Sequence, residues 1–172
     1  KGWIRAVRGH LDDVSDLKFK EGDRGRWVLR VHTTDKLLAF GTNGRFYTIS
    51  CEKLPGGRGF GEPVRLLIDL SNEHEIISLF LFKLDEKILI ASNTGRGFIV
   101  KTEDVFAQTR GGKQVLNLKN NDKAAATNKV DGDHVAVIGE NRKLLLFPVD
   151  ELTEMARGRG VIIQRYVEGG LS

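Results

Sequence analysis

One pattern of residues recurs along the chain and constrains the fold more than any other feature of the sequence. Two apolar runs are joined by a short polar turn, and a connector and a basic glycine loop follow before the next apolar run. After a truncated first copy, full copies occupy residues 35–70, 85–118 and 133–163. Spacings of 42, 51 and 47 positions separate the equivalent turn residues Gly2, Gly44, Gly95 and Arg142. A period of this length is typical of the blades of a radial β array.

Each copy is predicted to form antiparallel strands. In the first full copy, the apolar runs 37–40 and 46–49 flank Asn43-Gly44. This is a strong hairpin signal, because a type I′ turn needs positive φ that Asn and Gly tolerate. The last copy has Asn141-Arg142 instead, so we expect Asn141 to supply the positive φ there. The chain is therefore predicted to be all-β, with three to four antiparallel four-stranded blades that exchange strands, since it opens within a unit.

Composition fits one globular domain. The chain has 172 residues, 40% hydrophobic and 29% charged, and this length predicts a single domain over residues 1–172. Its internal repeats are predicted near 1–34, 35–84, 85–132 and 133–172.

The longest apolar stretches are too short for a membrane helix, and the first residues lack the apolar core of a signal peptide. The single cysteine, Cys51, excludes an internal disulfide framework, so we expect a cytoplasmic protein.

Basic residues outnumber acidic ones by 27 to 23, and the distribution of this charge is more informative than the net value of +4. Three basic glycine loops stand 14 or 15 residues beyond the turn residue of their repeat, at Arg58, at Arg110–Lys113 and at Arg157–Gly160. None of these short loops contains an acid. In a radial array they would form a row of cations around the rim.

The loop composition suits phosphate. Arginine offers a planar fork of donors, lysine a point charge, and glycine lets backbone N–H groups approach an oxyanion closely. Nothing in the pattern reads base edges, so we expect sequence-independent binding to duplex DNA, governed by counterion release and by the cost of bending. Ordinary hairpin-exit loops with solubilising arginines are the competing interpretation.

The second of these loops carries a resemblance to a known family. The segment 108–114, Gln-Thr-Arg-Gly-Gly-Lys-Gln, is similar to the "box" heptapeptide Gln-Arg-Arg-Gly-Gly-Lys-Gly in the C-terminal domain of the DNA gyrase A subunit, with departures at Thr109 and Gln114. More of the chain resembles the C-terminal domain of the paralogous A subunit of DNA topoisomerase IV. The matching pieces are 1–5 with Gly9-His10, Gly44-Arg45 with 47–49, Leu54-Pro55, Arg58-Gly59, 61–63, Gly97-Phe98, and 145–149 ahead of Asp150 and Leu152.

This resemblance implies a β-pinwheel, a propeller-like disc whose basic rim binds and bends double-stranded DNA. In gyrase the full box supports wrapping of DNA for negative supercoiling. In topoisomerase IV the domain instead aids DNA capture and topology discrimination, for ATP-dependent decatenation and relaxation during chromosome segregation. The two departures in the box favour the topoisomerase IV version.

The resemblance also implies the setting of the domain. It would be a non-catalytic, monomeric part of a bacterial type IIA topoisomerase, associated with the nucleoid in the cytoplasm. Its partners would be double-stranded DNA, the catalytic core of its own polypeptide and the ATPase (B) subunit, in an A2B2 heterotetramer. The domain itself would need no cofactor, and the parent enzyme would use ATP and Mg in other domains.

The sequence offers no catalytic or metal site. It contains no Gly-x-x-x-x-Gly-Lys-Ser/Thr phosphate loop, and its four histidines, of which His10 is the best placed for phosphate, lack metal-ligand spacing. Tyr47 and Tyr166 are expected to be structural, and Trp3 and Trp27 are expected to pack between blades. A hydrolytic propeller is disfavoured because no carboxylate, His or Ser recurs at one repeat position, whereas a protein-interaction propeller stays open.

The predicted DNA contacts fall into two groups. The recurring rim contacts are Arg58, Arg110, Lys113, Arg157 and Arg159. The second group stands near strand ends and comprises Arg5, Arg8, Arg45, Arg65, Arg96, Arg142 and Lys143.

Overall fold

A computed structural model describes residues 2–9, 17–57, 59–119, 121–166 and 169–171. Within these ranges the regular structure is almost entirely β. The strands are β1 (Trp3–Ile4), β2 (Lys36–Gly41), β3 (Arg45–Ser50), β4 (Glu62–Pro63), β5 (Ile76–Leu81), β6 (Lys87–Ser92), β7 (Arg96–Lys101), β8 (Lys113–Gln114), β9 (Ala124–Lys129), β10 (His134–Ile138), β11 (Leu144–Pro148) and β12 (Val161–Ile162).

Helical structure is confined to short connections. One four-residue helix, α1 (Thr102–Val105), follows β7, and 3-10 turns occupy Cys51–Lys53, Val64–Leu66 and Val149–Glu151. No helix within the described ranges is long and apolar enough to cross a membrane.

Two four-stranded antiparallel sheets form complete blades. Their strand orders are β5-β2-β3-β8 and β9-β6-β7-β12. In each blade three strands belong to one repeat, and the fourth, β8 or β12, comes from the next repeat. β4 pairs with β1 in the same way, with Trp3 opposite Pro63. The predicted all-β array with exchanged strands is therefore confirmed, and β10 and β11 add a two-stranded hairpin.

The inner and outer edges of the blades can be told apart. β5 and β9 are the edge strands opposite the exchanged ones, and they contact each other. The exchanged strands β8 and β12, with the loops that lead into them, therefore lie at the outer edges.

The core is divided into layers between successive blades, because neighbouring side chains of a strand point to opposite faces of its sheet. Leu38 and Phe40 face the second blade and share a cluster with Ile90. Leu37 and Ala39 face the other way, toward the connector between β4 and β5. A third layer joins the far side of the second blade to the inner face of the β10–β11 hairpin. The blades thus stack face to face in chain order.

The hairpin turns differ from the type I′ prediction. The N–H of Gly44 donates to the carbonyl of Gly41 at 2.9 Å, and Gly44 has φ of 74°. Asn43 is not among the described residues with positive φ, so the loop is a type I turn followed by one left-handed residue. The last hairpin uses the same geometry, with Arg142 at φ of 60°. The expectation that Asn141 would carry the positive φ is therefore wrong, because the turn places it in the right-handed region.

The tryptophans also depart from expectation. Trp3 and Trp27 each keep 37% of their surface exposed rather than packing fully between blades. The ammonium of Lys20 lies 4.9 Å from the ring centre of Trp3, and the guanidinium of Arg26 lies 4.3 Å from that of Trp27. Cation–π contacts cover the faces that we expected the core to cover.

Candidate nucleic-acid interface

Three glycines dock the basic loops onto the blade edges. Gly61, Gly112 and Gly160 each precede an exchanged strand and have φ of 87°, 69° and 76°. A Cβ at these positions would lie 2.3, 2.6 and 2.4 Å from the carbonyl oxygens of Ile4, Phe46 and Gly97, respectively. Only glycine therefore allows the loop to approach the neighbouring strand this closely. The same contact recurs at three blade edges, so the loops ending at these glycines are structural equivalents.

The arginines are offset within these equivalent loops. Counted back from the docking glycine, Arg110 stands two positions away and Arg157 three. Arg58 also stands three positions from its glycine in the sequence, but it lies outside the described residues, as does His10. The loops thus share a place in the blade, while their guanidinium groups begin from different backbone positions.

Backbone hydrogen bonds join the second and third loops to the segments that follow the preceding exchanged strands. The N–H of Asp69, in the segment that follows the first exchanged strand, donates to the carbonyl of Arg110 in the second loop at 2.9 Å. In the third loop, Gly158 donates to Val115 at 3.0 Å and accepts from Asn117 at 2.7 Å, directly after β8. The second and third loops each bond to the segment that follows the preceding exchanged strand. These bonds place the two loops in one row along the outer edge.

The second loop presents two cations with different surroundings. Arg110 donates from Nη2 to the carbonyl of Leu66 at 2.9 Å, and its Nε lies 3.4 Å from Oδ1 of Asp69. Both side chains of this ion pair remain about 60% exposed. Lys113 is exposed and has no ion pair within the described part of the chain. Both cations can therefore reach a polyanion that follows this edge.

The third loop repeats this arrangement in part. Arg157 is exposed, and its Nε lies 3.5 Å from Oδ1 of Asn117. Arg159 is less exposed, and its Nη2 lies 3.7 Å from Oδ2 of Asp122. The Nε of Arg159 is buried and has no hydrogen-bond partner. In this loop the Arg157 guanidinium is therefore open to solvent, whereas the Arg159 guanidinium lies near the Asp122 carboxylate.

An acid that precedes the third loop is already neutralised. The Glu154 carboxylate lies 2.5 Å from Nζ of Lys87 and 3.8 Å from Nζ of Lys101. The hydrogen bond from Lys87 lowers the pKa of Glu154, so the carboxylate stays ionised and engaged with β6 and β7. It therefore adds little negative potential to the row of loops.

Several arginines of the second group donate hydrogen bonds to backbone carbonyls and so stabilise the fold. Arg45 donates from Nε to the carbonyl of Gly111 at 3.0 Å and lies 3.4 Å from the carbonyl of Gly112. Arg65 donates to the carbonyls of Ser71 and His74. These two guanidinium groups are engaged by carbonyl oxygens and hold a loop and a turn in place.

Arg5 also braces a loop, donating to the carbonyls of Gly59 and Lys18. The rest of the second group is divided. Arg8, Arg142 and Lys143 are exposed. Arg96 is half-buried, and its Nε and Nη1 have no hydrogen-bond partner. The structure therefore brings Arg110, Lys113, Arg157 and Arg159 together along one edge. Arg45 lies against the second loop of this edge, where loop carbonyls engage its guanidinium, and Arg96 stands opposite Ile162, directly after the third loop.

Two carboxylates that pair with loop arginines were not predicted from the sequence. Asp69 and Asp122 stand 41 and 37 positions before Arg110 and Arg159. The loops themselves contain no acid, so only the strand exchange between blades could reveal these neighbours.

The other reactive groups have structural surroundings. No cluster of three or more His, Cys, Asp or Glu suited to a metal occurs among the described residues. Cys51 is buried, and burial raises the pKa of its thiol. Tyr47 is buried in the core, and its hydroxyl accepts a hydrogen bond from Nδ2 of Asn43 at 2.8 Å.

The fold and its repeated loops define a known class. The family described as "DNA gyrase C-terminal domain, beta-propeller" matches residues 35–83, 86–131 and 133–171, and the chain belongs to this family.

Individual relatives and solved structures show which members of the family the chain resembles. It is 51% identical over 171 residues to the A subunit of DNA topoisomerase 4 from Caulobacter vibrioides, covering 99% of this chain and 22% of that protein. The solved C-terminal domain of E. coli ParC superposes with a TM-score of 0.90 at 27% identity, covering 99% of this chain and 74% of that one. A solved DNA gyrase A C-terminal domain gives a TM-score of 0.66 at 20% identity, with 99% and 56% covered. The chain thus spans about a fifth of the Caulobacter relative.

Proposed function

We propose that this chain is a non-catalytic module that binds and bends double-stranded DNA without reading its sequence. The observation that carries the proposal is the row of outer-edge loops that bears Arg110, Lys113, Arg157 and Arg159. Each of these loops is joined by backbone hydrogen bonds to the segment that follows the preceding exchanged strand. Cations spaced along one edge suit successive phosphates of a duplex, and phosphate contacts carry no sequence information. Arg58 would extend the row onto the first loop.

The parent protein is proposed to be the A subunit of a bacterial topoisomerase IV. The name of the Caulobacter relative supports this assignment, as does the higher TM-score to the ParC domain than to the gyrase domain. In this setting the domain captures DNA and helps to select the topology on which the enzyme acts, during ATP-dependent decatenation and relaxation. Its partners are duplex DNA, the catalytic core of its own polypeptide and the ATPase (B) subunit, in an A2B2 assembly within the cytoplasm. ATP and Mg are used outside this domain.

Wrapping of the gyrase kind is the second candidate, favoured by the box-like segment 108–114. Its last position, Gln114, points into the protein and donates to the carbonyls of Asn43 and Leu116 at 3.1 and 2.7 Å. This residue strengthens the attachment of β8. Thr109 stands where the gyrase heptapeptide has its first Arg, so the loop has one cation fewer than the full box. We therefore expect little chiral wrapping when nicked circles are ligated in the presence of the domain. A strong shift in linking number would favour the gyrase function instead.

A charge reversal on the row tests DNA binding. Arg110→Glu with Lys113→Glu is expected to reduce affinity equally for several duplexes of unrelated sequence, measured by fluorescence anisotropy, while circular dichroism shows an unchanged fold. For a matched single-site control, Lys113→Glu is compared with Lys83→Glu. Both lysines are exposed, but Lys83 follows β5 at the inner edge. Equal losses from the two single variants, or a loss confined to one DNA sequence, would reject the proposed interface.

A further inference from the structure

Two ion pairs repeat at the same topological place. Asp69 lies between β4 and β5 and pairs with Arg110, and Asp122 lies between β8 and β9 and pairs with Arg159. In both cases an acid that follows one exchanged strand contacts an arginine in the loop that leads into the next exchanged strand. The recurrence at two successive blade boundaries makes the pairs a feature of the repeat.

A DNA phosphate would bind the same guanidinium groups that these two carboxylates contact. A guanidinium accepts either anion through the same N–H donors, so a neighbouring carboxylate competes with phosphate for them. Both side chains of the Asp69–Arg110 pair are about 60% exposed, so an incoming phosphate can replace the Asp69 carboxylate on Arg110. Asp122 is less accessible, with 11% of its side chain exposed against 37% for Arg159, and it lies 3.7 Å from that guanidinium.

We infer that Asp69 and Asp122 set the DNA affinity of the outer edge by competing with phosphate for Arg110 and Arg159. This inference rests on the proposed function, because it concerns the same row of loops. The acids weaken each DNA contact and so favour a module that releases DNA readily. Their local negative charge also limits association with other polyanions. They act as affinity-setting residues and do not themselves contact DNA.

The first experiment compares neutral isosteric variants. Asp69→Asn and Asp122→Asn keep the shape of the side chain and remove its charge. For an exposed pair the expected gain in duplex affinity is about 1.5-fold to fivefold. Glu73→Gln is the control, because it changes the net charge by the same amount and Glu73 is exposed with no ion pair in the described ranges. Anisotropy titrations with one labelled duplex at constant salt give all four affinities.

A double-mutant cycle then tests the pairing itself. In the Arg110→Ala background, Asp69→Asn is expected to have no larger effect than Glu73→Gln, because the guanidinium for which the two anions compete is gone. A gain that persists without Arg110 would show general electrostatics instead and would overturn the inference. Weaker binding by Asp69→Asn would also overturn it, since the acid would then position the arginine for phosphate.

The outcomes separate this inference from the proposed function. If the unmodified protein fails to bind duplex at low salt, the proposed function fails. If it binds, but both Asp→Asn variants match Glu73→Gln, only the role of the acids is rejected. Asp69 is exposed, so its variant keeps the test valid even if the more buried Asp122→Asn perturbs folding.

Discussion

Adding one methyl group at Gly112 is expected to disrupt the docking of the second loop. The Cβ of Gly112→Ala would lie 2.6 Å from the carbonyl oxygen of Phe46 and 2.7 Å from the ring of Tyr47. Both neighbours are buried, so neither can move freely. The residue also has φ of 69°, where a side chain costs about 1–2 kcal/mol. With overpacking of about 1–3 kcal/mol, the free energy of unfolding should fall by about 2–5 kcal/mol.

The neighbouring glycine supplies a matched control. A Cβ on Gly111 would meet nothing closer than 4.0 Å, and its φ is not positive. Urea unfolding followed by fluorescence should therefore show a large loss for Gly112→Ala and a change within about 1 kcal/mol for Gly111→Ala. Duplex affinity should follow the same order, because the displaced loop carries Arg110 and Lys113. Equal stabilities of the two variants would refute the claim that glycine docking positions the loops.

Three further predictions concern single side chains. Arg142→Gly should raise the free energy of unfolding by up to about 1 kcal/mol, because Arg142 has φ of 60°, and a loss of stability in urea titrations would contradict this. Arg45→Ala should lower the stability by about 1–3 kcal/mol through its lost bond to Gly111, yet leave the salt slope of DNA binding unchanged. A slope reduced by about 0.9 would instead make Arg45 a phosphate contact. The thiol of Cys51 is buried and its pKa is raised, so iodoacetamide at pH 8 should label it only on unfolding, and rapid labelling of the native protein would refute its burial.

The repeat made the all-β fold and its exchanged strands predictable, but it did not determine the type of the hairpin turns. Asn43-Gly44 is compatible with a two-residue type I′ turn and with a three-residue loop that ends in a left-handed glycine. The register of β2 against β3 decides between them, with Phe40 opposite Phe46. The same register explains why Arg142, and not Asn141, adopts positive φ.

The basic loops were visible in the sequence because local composition marks them, whereas their electrostatic surroundings were not. Asp69 reaches Arg110 only because β8 joins the blade of the preceding repeat. Likewise, the sequence predicts Arg45 only as a second-choice DNA contact near a strand end, and it does not show that the exchanged strand brings the carbonyls of Gly111 and Gly112 to this guanidinium. Contacts between residues far apart in sequence follow from the topology, which composition does not determine.

The salt dependence of duplex affinity tests the central claim most directly. If the cations of the loop row each neutralise one phosphate, log Kd plotted against log salt between 50 and 200 mM should have a slope of about 0.9 per contact. Four contacts, from Arg110, Lys113, Arg157 and Arg159, give a slope of about 3.6, and replacing Lys113 by alanine should lower it by about 0.9. A slope near zero, or one that Lys113→Ala leaves unchanged, would contradict binding of duplex DNA along this edge.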